Sequence, residues 1–271
     1  MKKRFLTYAL LSVAVVVSLF PFLFMFLSAT NSNHEILSFP PSLAIGSYLA
    51  QNMATLNSKI NIFRVLLNSL LVSSVFTLLI MVIDAMAGYA LVKFSFKGKG
   101  VIFACIMLTM MIPAESMYIP LFTMISGMGL ANTFPAVILP PLANAFGIFL
   151  MRQNLMAFPT TLMEAARIDG YDEMQIFWRI VMPNMKPALA ALGIYMFMSA
   201  WNSFMWPLII LSTKDMYTFP VALATLDGNQ WRKDYGVIML GASITTLPIM
   251  AIFLIFQKQF IAGVMGGAIK E

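Results

Sequence analysis

Six times along this chain an apolar run begins and ends that is long enough to cross a lipid bilayer. These runs are Phe5–Ala29, Val65–Val92, Val101–Phe122, Thr133–Leu150, Ala188–Leu211 and Gly236–Phe256. A helix needs about 20 apolar residues to span the hydrocarbon core. In that medium each backbone N–H and C=O must find its partner inside the protein, which leaves few spanning folds. The chain is 60% hydrophobic and 10% charged, whereas a soluble domain carries roughly 25% charged residues. Lipid is therefore the expected solvent, and the fold class expected is all-α integral membrane with six transmembrane helices. Prolines inside the runs (Pro21, Pro113, Pro120, Pro140, Pro141, Pro207 and Pro248) kink such helices without excluding them.

Lys2, Lys3 and Arg4 precede the first run in the manner of a signal peptide. Its apolar stretch exceeds the 7–15 residues of an h-region, so it reads as an uncleaved anchor. Six spans place both termini on one side. With the N-terminus inside, the inner segments hold Lys2, Lys3, Arg4, Lys93, Lys97, Lys99, Arg152, Arg167, Arg179, Lys186, Lys258 and Lys270. The outer segments hold only Lys59, Arg64, Lys214, Arg232 and Lys233. This asymmetry satisfies the positive-inside rule and predicts cytoplasmic termini. The organisation expected is an anchoring helix over 1–30, an extracytoplasmic loop over 31–64, a five-helix core over 65–260 and a cytoplasmic tail over 261–271. Within the core lie a cytoplasmic loop, 153–184, and an outer loop, 212–235.

Counting excludes several chemistries. Cys105 and His34 are the single cysteine and histidine, too few for an internal disulfide, a Cys/His zinc site or a Cys/His catalytic pair. Gly98-Lys99-Gly100 lacks the spacing and the hydroxyl of a phosphate-binding loop. No cluster of nucleophile, base and orienting acid emerges, so the chain is expected to be non-catalytic.

The charge that does occur is concentrated between the fourth and fifth runs. Arg152, Glu164, Arg167, Asp169, Asp172, Glu173, Arg179 and Lys186 fall there. Pro159 starts a new element, and Thr161 with Glu164 fits a capping box. Glu164-Ala165-Ala166-Arg167 favours helix, and Asp169-Gly170 stops it because glycine tolerates a left-handed C-terminal cap. Asp172 with Gln175 opens a second helix, on which Ile176 and Ile180, and Phe177 and Val181, pair at i, i+4. Pro183 is expected to end it. Ala165 and Ala166 offer a low surface that another protein can approach closely.

The order of residues Glu164-Ala165-Ala166, Gly170, Ile180 and Pro183 resembles the signature loop of membrane subunits of ATP-binding-cassette importers. The family pattern has leucine where this chain has Met182, a swap of similar volume. Trp201-Asn202-Ser203-Phe204-Met205-Trp206-Pro207-Leu208 and Gly241-Ala242-Ser243-Ile244 look like the carbohydrate-importing, maltose-type branch. The likeness runs from about Asn68 to the C-terminus.

The resemblance implies a type I importer permease with a cytoplasmic coupling helix-turn-helix between helices 4 and 5. It implies a second homologous permease subunit, two ATPase subunits that bind the ATP and Mg, and an extracytoplasmic solute-binding protein. No cofactor is expected in this chain, and nucleic acid is not an expected partner. Glu164, Ala165, Ala166, Arg167, Asp169 and Gly170 would dock the ATPase, so that Gly170→Pro or Ala166→Arg uncouples transport while the membrane helices stay folded. Tyr195, Ser199, Trp201, Asn202 and Trp206 are candidates for the substrate path, since aromatic faces and an amide suit sugars. Asp227, Gly228, Asn229 and Trp231 would meet the binding protein. The alternative reading is an ion-coupled secondary transporter using Asp84 and Glu115, the acids nearest membrane depth.

Overall fold

Backbone groups that have no water must bond along their own segment, and the chain meets that demand with helices. The computed structural model describes residues 2–226 and 233–265, with side chains over 4–226 and 233–257. Three helices are long and apolar enough to cross a membrane alone, and three bent pairs bring the number to as many as six. Contacts divide the chain into two units, one of Met1–Leu66 with Thr218–Met250 and the other of Leu67–Tyr217 with the chain from Ala251 onward.

The first unit begins with α1 (Lys2–Ser28), which is exposed from Arg4 to Leu23 and packs only at its end, where Ser28 is buried. The expected outer loop is largely helical, as α2 (Asn33–Leu37) and α3 (Leu49–Lys59). Asparagines hold this unit together by taking on backbone groups that helix ends leave open. Asn52 Nδ2 donates to the Ala29 and Asn31 carbonyls at 2.9 and 3.1 Å, and Asn31 Nδ2 donates to Leu27 and Ala44. α4 (Ile62–Lys93) starts here, as does the short α14 (Phe219–Thr225). The last helix, α15 (Tyr235–Met265), begins where the Tyr235 amide donates to Asn33 Oδ1 at 2.7 Å.

The second unit carries most of α4, then α5 (Lys99–Thr109), α6 (Tyr118–Gly127), α7 (Phe134–Ile138) and α8 (Ala145–Met156). It continues with α9 (Thr160–Ile168), α10 (Glu173–Ile176), α11 (Met182–Asn184), α12 (Lys186–Trp201) and α13 (Met205–Ile210). Three expected spans are interrupted, Thr133–Leu150 among them, where the Phe134–Leu142 segment meets α8 at 48°. Val101–Phe122 is not one helix, because α5 and the Ala114–Gly127 segment meet at 94°. Pro113, extended at φ −60° and ψ 128°, supplies no N–H and disfavours helix before it. Ala188–Leu211 breaks over Asn202–Phe204, between α12 and α13.

Helix α4 is the axis of this unit. A methyl group at Gly88 would meet the backbone of Met151 and Arg152, and one at Gly147 would meet the Asp84 carboxylate. Asp84 thus stands over Gly147, and Gly88 over Met151, both pairs spaced by four residues, so α4 and α8 run in the same direction. The intervening α5–α6 segment must therefore return across the layer once. Gly193 of α12 faces Met81 in the same close manner. Small residues at contacts are how helices approach in lipid, where no hydrophobic force brings them together. Around them lies a core that includes Phe76, Ile80, Met151, Leu155, Leu192 and Met196.

Candidate functional site

The charged loop folds as an elbow of two helices. α9 begins two residues before the expected capping box; its N-cap is Pro159, and no side chain caps it. The chain just before is pinned by Lys93 Nζ, which donates to the Phe158 carbonyl at 2.8 Å. That anchor fixes the start of the helix and leaves Thr161 inside its first turn, where it cannot serve as cap. The end follows the sequence reading. Gly170 is left-handed at φ 84°, its amide donates to Arg167 O, and the Tyr171 amide donates to Ala166 O, the paired bonds of a Schellman cap. α10 opens with the expected reciprocal box: Asp172 Oδ1 accepts the Gln175 amide at 2.7 Å and Gln175 Oε1 accepts the Asp172 amide at 3.1 Å.

Helicity does not stop at Pro183. Residues 177–181 form a π turn, in which the Met182 amide donates to Phe177 O, and α11 carries Pro183 within it. The wider turn rearranges the carbonyls that a proline would leave without a donor, and Asn184 Nδ2 reaches back to Ile180 O at 2.7 Å. The direction changes only at Met185, where this segment meets α12 at 80°.

The elbow has an inner and an outer face. Met163 and Ala166 of α9 and Ile176, Phe177 and Val181 beyond it are buried in the core. Ala166 therefore belongs to the protein's own packing and not to an approach surface, which corrects the sequence expectation for it. Glu164, Ala165 and Asp169 are exposed. Beside them, Ile168 is 87% exposed and Leu162 46% exposed, an apolar pair that sequence reasoning passed over. The i, i+3, i+6 spacing of Leu162, Ala165 and Ile168 marked them as one helix face.

Arg167 turns to its own chain. Its Nε donates to Glu173 Oε1 at 2.7 Å, and the Tyr89 hydroxyl of α4 donates to Glu173 Oε2 at 2.9 Å. This links α9 and α10 to α4. The Arg167 guanidinium, helped by Tyr89, holds the Glu173 carboxyl below its usual range. A lowered folded value means that the link contributes above the ordinary glutamate pKa and is lost as pH falls through the folded one. With the two side chains 44% and 40% exposed, its worth is at most about 1 kcal/mol. Hydrogen exchange over residues 160–170, corrected for intrinsic rates, should stay flat near neutrality and rise only as pH falls below the ordinary glutamate range. Glu173→Gln should give the faster exchange already at neutral pH; identical protection in the variant would contradict the link.

The path candidates separate into two sets. Tyr195, Ser199 and Asn202 are exposed and share one face of α12 at i, i+4, i+7; Tyr195 packs on Phe146 with centroids 4.7 Å apart. Trp201 and Trp206 are buried, contrary to the expectation that they line a path. Trp201 stacks on Phe197, and Trp206 stacks on Tyr118 while its Nε1 donates to Ala136 O at 3.0 Å. A buried indole is held by its one donor, and the carbonyl of α7 supplies that partner. Asn202 Nδ2 donates to Met198 O at 2.9 Å, a bond within its own helix. Asp227, Gly228, Asn229 and Trp231 lie outside the described residues. Glu115 is exposed in the turn after Pro113. Asp84 is fully buried, and neither carboxyl oxygen has a hydrogen-bond partner among the described residues. It stands over Gly147 in the first turn of α8, and the Gly147 amide donates to Asn144 Oδ1 at 3.0 Å.

Comparison with known proteins accounts for this arrangement. Residues 81–265 match the family described as "Binding-protein-dependent transport system inner membrane component". The chain is 36% identical over 259 residues to the lactose transport system permease protein LacG of Rhizobium radiobacter, covering 96% of this chain and 94% of that one. It is 40% identical over 203 residues to the arabinooligosaccharides transport system permease protein AraQ of Halalkalibacterium halodurans, covering 75% and 72%. It is 32% identical over 270 residues to the sn-glycerol-3-phosphate transport system permease protein UgpE of Pectobacterium atrosepticum, covering 96% and 95%. The crystal structure of a bacterial ABC transporter involved in the import of the acidic polysaccharide alginate shares the fold, with a TM-score of 0.80 at 23% identity over 94% of this chain and 95% of the other. These matches support the importer permease reading and not the ion-coupled alternative. A multi-pass helical chain with an exposed charged elbow, it belongs to the family of inner-membrane components of binding-protein-dependent transport systems.

Proposed function

We propose that this chain is one of two permease subunits of an ATP-driven importer for a disaccharide or oligosaccharide. Its partners are a second permease, two ATPase subunits that hold ATP and Mg, and an extracytoplasmic solute-binding protein. Relatives named for lactose and arabinooligosaccharides support the substrate class. Both termini and the elbow of residues 153–184 face the cytoplasm, as the distribution of lysine and arginine favours.

One observation carries the mechanism. α9 presents Leu162, Ala165 and Ile168 to solvent next to Glu164, while its other face is locked into the core and its C-terminus into a Schellman cap. An apolar face on a rigid, anchored helix suits a socket in a partner. When ATP closes the ATPase dimer, the socket carries α9 with it. Because α9 joins α8 through Ala157–Pro159 and is tied to α4 through Glu173 and Tyr89, that displacement reaches the membrane helices as a rigid-body motion. Glu164 adds a polar contact, and Gly170 sets the turn that keeps α9 and α10 apart. Tyr195, Ser199 and Asn202 are the residues of α12 offered to the sugar path. Asp227, Gly228, Asn229 and Trp231 are assigned to the binding protein on sequence resemblance alone.

Transport in proteoliposomes containing all the subunits tests the reading. Uptake of the sugar should require internal ATP and binding protein, should stop with vanadate and should survive an ionophore. Uptake stopped by the ionophore and indifferent to vanadate would replace this reading with the ion-coupled one.

A further inference from the structure

A cavity of about 570 Å³ opens where the ends of α4 and α8 meet the start of α9. Lys93, Lys99 and Arg152 line it, and among the described residues no aspartate or glutamate does. Three cations brought to one cavity repel one another unless an anion joins them.

Their remaining bonds show how they are held. Lys93 Nζ donates to Phe158 O at 2.8 Å, and Lys99 Nζ donates to Val92 O at 3.3 Å and Phe94 O at 3.0 Å. An ammonium has three donors, so each lysine is fixed in place with donor capacity left. The Arg152 guanidinium lies over the Phe103 ring of α5, 4.1 Å from its centroid. Stacking occupies its face and leaves the in-plane N–H fork, which matches phosphate geometry; among the described residues no hydrogen bond or carboxylate uses that fork. A fourth source of positive potential is the N-terminus of α9. Pro159 and Thr160 are part of the cavity wall, and that nine-residue helix has neither a side-chain cap nor an acidic residue in its first turn. Free amides at a helix start bind anions.

We propose that this cavity binds a phosphate group, and that its source is the headgroup of an anionic phospholipid. The shared chemistry is a phosphate oxyanion; the surroundings favour the lipid. Leu91, Val92 and Met156 form an apolar wall, and α5, which delivers Phe103, exposes Val101, Ile102 and Leu108 along its length. Acyl chains can lie along α5 while the headgroup sits among the cations, the arrangement expected of basic pockets at helix ends. Occupation would brace the junction of α8 and α9, the lever arm of the elbow. The assignment of this site to the cytoplasmic leaflet rests on the orientation proposed above; the binding chemistry does not.

The test uses the transporter purified with its partner subunits from bilayers of mixed phosphatidylglycerol and phosphatidylcholine, with retained lipid measured by native mass spectrometry. The wild type should keep phosphatidylglycerol in preference to phosphatidylcholine. Arg152→Gln should lower that preference about fivefold, one juxtamembrane charge being removed. Arg152→Lys should retain part of it. Lys97→Gln removes an exposed lysine outside the cavity and should change nothing. A second arm titrates inorganic phosphate into transporter held in phosphatidylcholine alone. If phosphate raises the thermal midpoint of wild type but not of Arg152→Gln, and no lipid preference exists, the lipid source is overturned in favour of the free ion. Equal behaviour of wild type and Arg152→Gln in both arms overturns the site. ATPase co-purification is recorded in parallel, so that failed docking of the partners, which would count against the proposed function, is not confused with failed lipid binding.

Discussion

Ile168→Asp is expected to abolish coupled uptake while leaving the permease folded. Ile168 is 87% exposed, so the substitution removes no packing within the chain and adds a charge that water can solvate. In the assembled transporter the same position closes the C-terminal end of the face proposed for the ATPase socket, after Leu162, Glu164 and Ala165. A few side chains seated in well-packed, desolvated pockets of a partner carry most of the binding free energy. Loss of one, replaced by a carboxylate that must shed its water, should cost at least about 2 kcal/mol, roughly a thirtyfold loss of ATPase affinity. Substrate-stimulated ATP hydrolysis and uptake should fall together, and Ile168→Leu should keep both. Ala166→Arg makes the contrast: Ala166 is buried, so the arginine breaks the elbow's own packing and lowers the thermal midpoint of the permease itself. If Ile168→Asp co-purifies with the ATPase as well as wild type does, the outward face of α9 is not the docking surface.

The difference between those two substitutions marks how far sequence alone could reach. Features decided within a few residues were legible. The Asp172–Gln175 box, the left-handed Gly170 and the apolar runs follow from local rules of hydrogen bonding, chirality and transfer free energy. Features decided by a distant partner were not. Thr161 and Glu164 have the spacing of a cap, but the bond from Lys93 to the Phe158 carbonyl, across 65 residues, starts the helix earlier. Ala165 and Ala166 are equivalent in a sequence; only the position of the core decides which one faces out. The tryptophans near the break between α12 and α13 read as sugar platforms because aromatic faces suit sugars. The bond from Trp206 to Ala136 O, over 70 residues, gives that indole a structural place instead. Asp84 shows the same limit. Its place inside an apolar run was evident, whereas its seat on Gly147 depends on the register between two helices.

That register makes the second large prediction. Gly88→Val should destabilise the permease by about 2 kcal/mol or more, the cost of overpacking a close contact. The added Cβ would lie 2.9 Å from the Arg152 amide nitrogen and 3.0 and 3.1 Å from Met151 Cβ and C. Two of those three atoms are backbone, which cannot rotate away as a side chain does, and valine adds two more methyl groups to the same space. α4 and α8 must separate, yet both are held elsewhere by Gly147 against Asp84 and by Gly193 against Met81. Because α8 leads through Ala157–Pro159 into α9, the separation also moves the elbow away from the Tyr89–Glu173–Arg167 link. Stability and coupling should therefore fail together, unlike in Ile168→Asp, where coupling fails alone. Gly100→Ala is the control, since a methyl group there meets no atom within 4 Å. Thermal unfolding in detergent with uptake in proteoliposomes measures both quantities. A Gly88→Val permease that unfolds at the wild-type temperature would show that α8 shifts along α4 without loss, and a lever that yields so easily could not transmit the ATPase stroke through this contact.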